Sequence, residues 1–259
     1  MEDGTHDETE TVVRQFAASV AQSVRYENNG SNLGVSATRN RAMILAKGSV
    51  IAFLDADDWW TPDHLARGLE ALDQGADLCF SGFRLYDEAT HKELETVALN
   101  PARLAQPLTS LFESNFIQTS SLVMVRREAA ERAGGFDTSL KVGEDCDYWM
   151  RILAPSGKLA YTGQPTCFYV KHGASAMAKT LMVAEHSVKF YRKHLQSDFL
   201  PRSLRKSHYA SSLWNYARLV AHQDPVLART LLLQAWQQRH WDFRYLAYAL
   251  RTFALTSKG

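Results

Sequence analysis

The chain lacks the features of disulfide-rich, zinc-bound and membrane-spanning proteins. Its 259 residues include only three cysteines, Cys79, Cys146 and Cys167, and no CxxC pair. This argues against a structural zinc site and a disulfide framework, and it favours the reducing cytoplasm. No apolar run approaches the roughly 18 residues that a membrane span needs. The acidic start, MEDGTHDETE, has no apolar segment, so we do not expect it to be a signal peptide.

Charge is unevenly distributed, although the formal net charge is only +1. Residues 1–178 hold 16 Lys/Arg and 24 Asp/Glu, a net −8, whereas residues 179–259 hold 13 and 4, a net +9. The basic region is either a solvated helical surface or a contact surface for anionic lipid headgroups or an anionic acceptor. It contains no recognisable nucleic-acid reading motif, so we expect no nucleic-acid partner.

Strand and helix signals alternate in the first part of the chain. Residues 49–54 and 77–83 read as strands, and Thr61-Pro62 starts a helix between them. Short strands are also predicted at 24–26, 158–161 and 166–171, and Ser36 can cap a helix that runs to about residue 47. This alternation predicts an α/β fold with a mainly parallel sheet.

Strand signals vanish from about residue 179. Helical spacing predicts four helices, over 183–194, 204–221, 226–238 and 243–253. We therefore expect two regions, 1–178 and 179–259, the second being a helical extension. Its aromatic residues are interpreted as packing rather than chemistry. They are Trp214, Tyr216, Trp236, Trp241, Tyr245 and Tyr248.

The most informative segment is VIAFLDADDWW, residues 50–60, in which an apolar strand ends in three carboxylates. If the segment is extended, Asp55 and Asp57 point to the same side. Two such carboxylates suit Mg²⁺ or Mn²⁺ that keeps waters and bridges substrate phosphates. The alternative is a solvated acidic loop in which Asp58 caps a turn.

A second acidic cluster contains Glu144 and Asp145 at a predicted helix N-terminus. The helix dipole favours ionised carboxylates there, and an ionised carboxylate facing a cleft can accept a proton from an attacking hydroxyl. The alternative is an ordinary N-terminal cap. His172 follows a predicted strand, but a lone histidine carries little weight by itself.

Five segments together resemble the family 2 glycosyltransferases of GT-A fold. They are NLGVSATRNRAM (32–43), VIAFLDADDWWTPDHL (50–65), SSLVMVRREAAERAGGFD (120–137), VGEDCDYWMRI (142–152) and FYVKHGAS (168–175). The resemblance spans about residues 3–178 and implies a Rossmann-like GT-A domain at 1–178. It also implies inverting transfer of a sugar from a nucleotide-diphosphate donor, most often a UDP-sugar, to a hydroxyl on a saccharide or lipid-linked acceptor.

The resemblance also implies roles for individual residues. Asp57 would be the main ligand of Mg²⁺ or Mn²⁺, with Asp55 beside the metal and the ribose, and His172 would close over the diphosphate and metal. Asp145, with Glu144 beside it, matches the catalytic base. The residues expected near the nucleotide are Asp3, Asn32, Arg39, Asp55, Asp57 and His172.

One departure from the family pattern concerns the start of the chain. Glu2-Asp3-Gly4-Thr5 resembles the family's Asp-Asp-Gly-Ser element, and the strand and turn that usually precede it are absent. We therefore expect a gap in the sheet with exposed strand edges and apolar faces. We also expect weak binding of nucleotide sugars, which micromolar affinity for UDP with Mn²⁺ would refute. The alternative function is an inactive remnant that keeps the fold and acts as a binding or scaffold protein.

Overall fold

The computed structural model describes residues 1–5, 7–154, 156–171 and 176–256. Its strands are β1 (Val50–Ala52), β2 (Trp59–Trp60), β3 (Leu78–Asp87), β4 (Lys92–Val97), β5 (Val123–Arg126) and β6 (Leu159–Lys171). Its α-helices are α1 (Thr9–Ser19), α2 (Val35–Leu45), α3 (His64–Asp73), α4 (Pro107–Glu113), α5 (Arg127–Arg132), α6 (Glu144–Leu153), α7 (Ala176–Lys193), α8 (Arg202–Val220), α9 (Pro225–Gln238) and α10 (Arg244–Thr256).

The sheet has the order β1-β5-β3-β6-β2, and β4 pairs with β3 outside that path. The pair β3·β6 is parallel, whereas the other four pairs of the described strands are antiparallel. The α/β class is confirmed, but the prediction of a mainly parallel sheet is wrong. The physical reason is that β5 enters between β1 and β3 in the opposite direction, and β3 turns directly into β4. An alternation of strand and helix signals does not reveal an inserted antiparallel strand.

The sheet nevertheless brings several strand ends to one place. β1 and β3 both run opposite to β5, so the C-terminal end of β1 meets the N-terminal end of β5. The Phe53 amide donates to the Val123 carbonyl over 3.2 Å, and the Asp55 amide donates to Ser121 Oγ over 2.9 Å. The acids after β1 are therefore fixed to the segment that leads into β5.

The core beneath this edge is aromatic. Phe53 packs edge-to-face against Phe136, with 5.5 Å between ring centroids, and lies 5.6 Å from the fully buried Trp149 of α6. The ring of Tyr148 packs against Phe136 in a tilted arrangement, with 4.4 Å between centroids. Because such rings bury large apolar areas, they couple β1 rigidly to α6. The two elements that carry the acidic clusters thus share one core.

Four local predictions need correction. Residues 24–26 form no strand; the nearest pairing among the described residues is a single parallel bridge, Glu2 to Asn28. Helix α2 is preceded by Gly34, and Ser36 is buried inside its first turn rather than capping it. The strands predicted at 158–161 and 166–171 are one long bulged strand, β6, because the loop between them continues the pairing with β3. Helix α3 begins at His64, after a turn that holds Thr61-Pro62.

The helices predicted after residue 179 are confirmed as α7 to α10; α7 begins at Ala176, seven residues before the predicted start, and the other bounds lie within three residues of the prediction. They have their own core, centred on α8 and α9. Trp214 packs between Tyr245 and Tyr248 at 5.5 and 5.2 Å, as expected for packing residues. Trp241 is different, because 69% of it is exposed. None of the helices in the described ranges has the length and apolarity needed to cross a bilayer.

The edge of β1 that faces away from β5 has no strand partner within the described ranges. Apolar side chains are exposed beside this edge. Phe16 on α1 is 57% exposed and Ile44 on α2 is 82% exposed. A cavity of about 540 Å³ lies between α1, α2 and this edge. Its lining includes Asp3, Arg39 and Asp55.

Candidate active site

The three acids after β1 form a turn rather than an extended segment. The Asp58 amide donates to the Asp55 carbonyl over 3.2 Å, so Ala56 and Asp57 occupy the centre of a turn. We predicted that Asp55 and Asp57 point to the same side because the segment is extended. The segment is a turn, so the basis of that prediction is wrong. Asp57 is exposed at the tip, Asp55 is half-buried and Asp58 is buried. The indole of Trp60 fixes the turn by donating to the Ser121 carbonyl over 2.7 Å.

The innermost carboxylate, Asp58, has a structural role. Its Oδ1 accepts from the Val170 amide over 3.0 Å, which ties the turn to β6. Burial raises the pKa of Asp58, and the nearby charges of Asp57 and Asp55 add to that effect. Three carboxylates this close repel one another, and a cation at the tip would relieve the repulsion.

The chemistry of this turn fits a magnesium or manganese ion that takes only part of its ligands from protein. Within the described ranges, no group of three or more His, Cys, Asp or Glu side chains could hold a metal by itself. Mg²⁺ commonly binds through one or two carboxylates and completes its shell with water and substrate phosphates. Asp57 at the exposed tip, with Asp55 behind it, provides such a set. His172, the third predicted ligand, lies outside the described residues.

Arg39 links the two acidic clusters. Its Nη2 lies 2.6 Å from Asp55 Oδ1, and its Nη1 lies 3.7 Å from Glu144 Oε1. The guanidinium also stands over the ring of Phe136 at 5.5 Å and is only 14% exposed. The acids after β1 and the N-terminus of α6 therefore both contact one guanidinium.

Asp145 lies in the first turn of α6 and has a strongly shifted pKa. Burial raises the pKa of Asp145 to about 7, and the charge of Glu144 adds to the increase. The Cys146 amide, Arg39 and Asn115 act in the opposite direction. The expectation that the helix N-terminus keeps this acid fully ionised is therefore incomplete, because removal of water from around the carboxylate outweighs the helix dipole. A carboxylate with a pKa near 7 is a suitable general base at neutral pH.

The site contains residues that the sequence did not indicate. Tyr169 of β6 feels the charges of Asp58, Asp57, Asp55 and Asp145, which add to burial in raising its pKa. Its hydroxyl therefore lies near both acidic clusters. The sequence offered one indication of this role, because Tyr169 lies near the C-terminal end of the strand predicted at 166–171.

Two polar residues on the segment before β5 complete the site. Thr119 Oγ1 donates to Asp55 Oδ2 over 3.2 Å, and Asn115 Nδ2 lies 3.5 Å from Asp145 Oδ2. Both residues precede β5, which runs antiparallel to β1. Their closeness to the acids follows from that strand direction, which the sequence did not show.

Two of the residues predicted near the nucleotide, Asp3 and Asn32, lie at the loop that leads into α2. Asp3 accepts hydrogen bonds from the Leu33 amide (2.8 Å) and the Gly34 amide (2.9 Å), at the start of α2. Burial alone would raise the pKa of Asp3, but these bonds and those from Asn29 and Thr38 hold it below the usual value. Asn32 is exposed on the same loop. Asp3, Arg39 and Asp55 thus line one cavity.

A buried ion cluster holds α6 in position. Asp147, which is fully buried two residues after Asp145, lies 2.8 Å from Arg151 Nη2, 2.7 Å from Lys193 Nζ and 3.2 Å from His194 Nε2. Burial alone would raise the pKa of Asp147, but hydrogen bonds from His194 and Lys193 and the charge of Arg151 hold it far below the usual value. Lys193 and His194 belong to the helical region, so this cluster joins that region to the site.

We expect Asp147→Asn to lower the free energy of unfolding by about 3 kcal/mol, because it leaves the cations of the cluster without their buried partner. Urea unfolding followed by circular dichroism measures this. Glu10→Gln removes one side of an exposed ion pair with Arg14 on α1 and should change stability by less than about 0.5 kcal/mol. Equal stability losses in the two variants would show that the cluster does not hold α6.

Comparison with known proteins places this architecture in a family. The sequence model of Glycosyl transferase family 2 matches residues 1–134. The amylovoran biosynthesis glycosyltransferase AmsB of Erwinia amylovora is 31% identical over 170 residues, which cover 60% of this chain and 55% of that protein. The chain spans about half the length of the first curated relatives it matches.

Solved structures agree on the fold. S. aureus TarS aligns with a TM-score of 0.60 at 12% identity, covering 97% of this chain and 80% of that one. The mannosyltransferase PcManGT from Pyrobaculum calidifontis, solved in complex with GDP-Man and Mn²⁺, aligns with a TM-score of 0.59 at 17% identity, covering 98% and 74%. These likenesses concern the fold, and the sequence match covers just over half of the chain. The chain belongs to glycosyl transferase family 2.

Proposed function

We propose that this chain is an inverting, metal-dependent glycosyltransferase that moves a sugar from a nucleotide-diphosphate donor to a hydroxyl acceptor. The observation that carries the proposal is the position of Arg39, which contacts Asp55 on one side and Glu144 on the other. This contact supports one cleft with the acids after β1 at one wall and Asp145 at the opposite wall. In this proposal Asp3, Asn32 and Arg39 bind the nucleotide.

The chemistry needs one base and no enzyme nucleophile. The acceptor oxygen attacks the anomeric carbon, its proton passes to Asp145, and the bond from the anomeric carbon to the phosphate oxygen breaks with both electrons going to the diphosphate. Attack opposite the leaving group inverts the anomeric configuration. Burial, with an added contribution from the charge of Glu144, raises the pKa of Asp145 to about 7, which suits a base near neutral pH.

The leaving diphosphate requires positive charge. When bound, Mg²⁺ or Mn²⁺ supplies charge that stabilises the departing diphosphate. Asp57 and Asp55 would hold it, and we propose His172 as a further ligand. Arg39 adds a fixed cation beside the same group. We propose a UDP-sugar as donor; because PcManGT was solved with GDP-Man, GDP-mannose is the first competitor to test.

Transfer assays with a panel of UDP- and GDP-sugars, in Mn²⁺ and after EDTA treatment, test this function. We expect Mn²⁺-dependent release of one nucleoside diphosphate, and a product whose anomeric configuration is opposite to that of the donor. Retained configuration would contradict the single-base mechanism. Nucleotide binding without any transfer or hydrolysis would favour the alternative of an inactive binding or scaffold protein.

A surface at the start of α10 is suited to contact with a membrane. At the turn into α10, Trp241 and Phe243 are each 69% exposed, and Leu250, 68% exposed, lies two turns after Phe243 on the same helix face. Arg244 and Arg251 flank this face and are exposed. Aromatic side chains among basic residues suit the headgroup region of an anionic bilayer. We propose that the enzyme is cytoplasmic and contacts the inner face of the membrane peripherally, where a saccharide or lipid-linked acceptor is presented.

The double variant Trp241→Ala, Phe243→Ala should bind vesicles of phosphatidylglycerol and phosphatidylcholine at least about tenfold more weakly, since each buried aromatic ring contributes about 1.5–3 kcal/mol. Co-sedimentation at constant ionic strength measures this. Val226→Ala removes an equally exposed apolar residue at the start of α9 and serves as control. Unchanged vesicle binding by the double variant would show that this surface does not contact the membrane.

A further inference from the structure

One face of α7 contacts the segment that leads into α6. His186, Phe190 and Lys193 are spaced four and three residues apart, so they lie on the same side of the helix. All three contact residues between 137 and 147. We call these three side chains the inner face of α7. Helix α7 therefore meets the chain immediately before the proposed base.

Two of these contacts are made just before α6 begins. The Phe190 ring packs against Gly143, whose φ of +79° lies in the left-handed region that favours glycine. A Cβ at Gly143 would lie 3.1 Å from the ring, so the ring and the backbone are already in close contact. Two residues earlier, the Lys141 amide donates to His186 Nδ1 over 3.3 Å. Because residues 137–143 form no helix or strand, contacts such as these fix the place where α6 begins.

Lys193 joins the two ends of this part of the chain. Its Nζ lies 2.7 Å from Asp137 Oδ2 and 2.7 Å from Asp147 Oδ1, which belongs to α6. Asp147 is fully buried, whereas 33% of the Lys193 side chain is exposed. Hydrogen bonds between charged groups are short and strong, so one ammonium that pairs with two carboxylates keeps them close together. Asp145 lies between those two carboxylates in the chain.

We propose that Lys193 is a positioning residue for sugar transfer and that the inner face of α7 holds Asp145 in place. The inference rests on the proposed function, which makes Asp145 the base. Lys193 acts through Asp137 and Asp147. A base must lie within hydrogen-bonding reach of the proton that it accepts, so a shift of about 1 Å can lower the rate about 10²-fold. The helical region therefore contributes to turnover as well as to stability.

The pH profile of turnover reports the surroundings of Asp145 separately from protein stability. Among the described residues, the charged and titratable groups that face Asp145 are Glu144 and Cys146 on α6, Arg39 on α2 and Tyr169 on β6. Substitutions on α7 leave all four in place. If α6 shifts, water reaches Asp145 and reduces the effect of burial that raises its pKa. The acidic limb of the turnover number then moves to lower pH, which a smaller folded fraction alone does not cause.

Four variants separate positioning from stability. Lys193→Met removes the bridging charge, and Lys193→Arg keeps it. Lys189→Met is the matched control, because Lys189 lies one turn earlier on α7, is 49% exposed and pairs with Glu185 at 2.8 Å. Phe190→Leu weakens the contact with Gly143 without removing a charge, so it keeps the test valid if Lys193→Met does not fold.

Amide hydrogen exchange of the full chain, measured by mass spectrometry over residues 137–147, shows how firmly this part of the chain is held without any substrate. We expect exchange at least about tenfold faster in Lys193→Met and Phe190→Leu, and unchanged exchange in Lys189→Met and Lys193→Arg. In transfer assays, Lys193→Met should lower the turnover number about 10–100-fold and move its acidic limb to lower pH, while KM for the donor stays within about twofold. Lys193→Arg should restore both the turnover number and the position of the limb.

Failure of this inference differs from failure of the proposed function. Wild-type exchange and turnover in both Lys193→Met and Phe190→Leu, or equal losses in Lys193→Met and Lys189→Met, would overturn the inference while sugar transfer by the wild type stands. A loss of turnover with an unmoved acidic limb would also overturn it, since that result assigns Lys193 to stability alone. Conversely, faster exchange in Lys193→Met, with a wild type that transfers sugar from no donor, would contradict the proposed function and uphold the hold of α7 on α6.

Discussion

Asp145→Asn is expected to lower the turnover number for sugar transfer by about 10³-fold, since a positioned general base contributes about 10²–10⁴. Asparagine has nearly the same shape but cannot accept the acceptor's proton. Metal-dependent binding of the nucleoside diphosphate should remain within about twofold of the wild type, because the proposed mechanism gives Asp145 no contact with the metal. Steady-state kinetics and calorimetry on the same preparations separate the two effects.

The same residue predicts a pH dependence. The pKa of Asp145 is raised to about 7, so the base is protonated and inactive below that pH. Turnover should therefore fall about tenfold for each pH unit below 7 and level off above it. In Asp145→Asn this limb should disappear.

Glu144→Gln is the matched variant for this prediction. The charge of Glu144 helps to raise the pKa of Asp145, so its removal should shift the acidic limb to lower pH while leaving the base in place. A limb that stays at the same pH in Glu144→Gln, or that persists in Asp145→Asn, would assign the titration to another group.

The second large effect is expected for Asp57→Ala, which should weaken Mn²⁺-dependent binding of UDP by about 100-fold or more and abolish transfer. Asp57 is the exposed acid at the tip of the turn. Loss of a residue that only hydrogen-bonds to a metal ligand typically lowers metal affinity about 10–100-fold, so loss of the ligand itself should have at least the upper end of that effect. Calorimetric titration with UDP, with and without Mn²⁺, measures the metal-dependent part directly.

Asp63→Asn provides the control for Asp57→Ala. Asp63 is another exposed acid, six residues further along, and it pairs with Arg67 at 2.5 Å on the surface of α3. Its replacement should leave UDP binding unchanged. If Asp57→Ala and Asp63→Asn bind UDP and Mn²⁺ equally well, the metal is held elsewhere.

Those parts of the fold that depend on local patterns could be predicted from the sequence. The helices α7 to α10 follow from the 3.6-residue spacing of their apolar residues, and α6 begins at Glu144 as its acidic first turn indicates. The strand direction could not be read, because β5 enters the sheet after a connection that contains short helices. Trp241 was expected to be packed, but an apolar spacing does not show whether a neighbouring helix is present to cover it.

The residues of the candidate site could be predicted from the sequence, but their arrangement could not. Asp55, Asp57, Glu144 and Asp145 could be recognised because each cluster follows or begins a regular element. Their meeting could not, since it depends on Arg39 reaching both Asp55, 16 residues away, and Glu144, 105 residues away. The pKa of Asp145 near 7 likewise depends on burial, which only the packed structure supplies.

The most direct test is an anomalous-scattering map at the manganese edge from crystals of this chain grown with UDP and Mn²⁺. We expect one peak within coordinating distance of an Asp57 carboxylate oxygen, with the diphosphate between that peak and Arg39 and with Asp145 facing it across the cleft. A manganese peak away from the Asp55–Asp58 turn, with UDP bound, would show that these acids do not position the donor opposite Asp145.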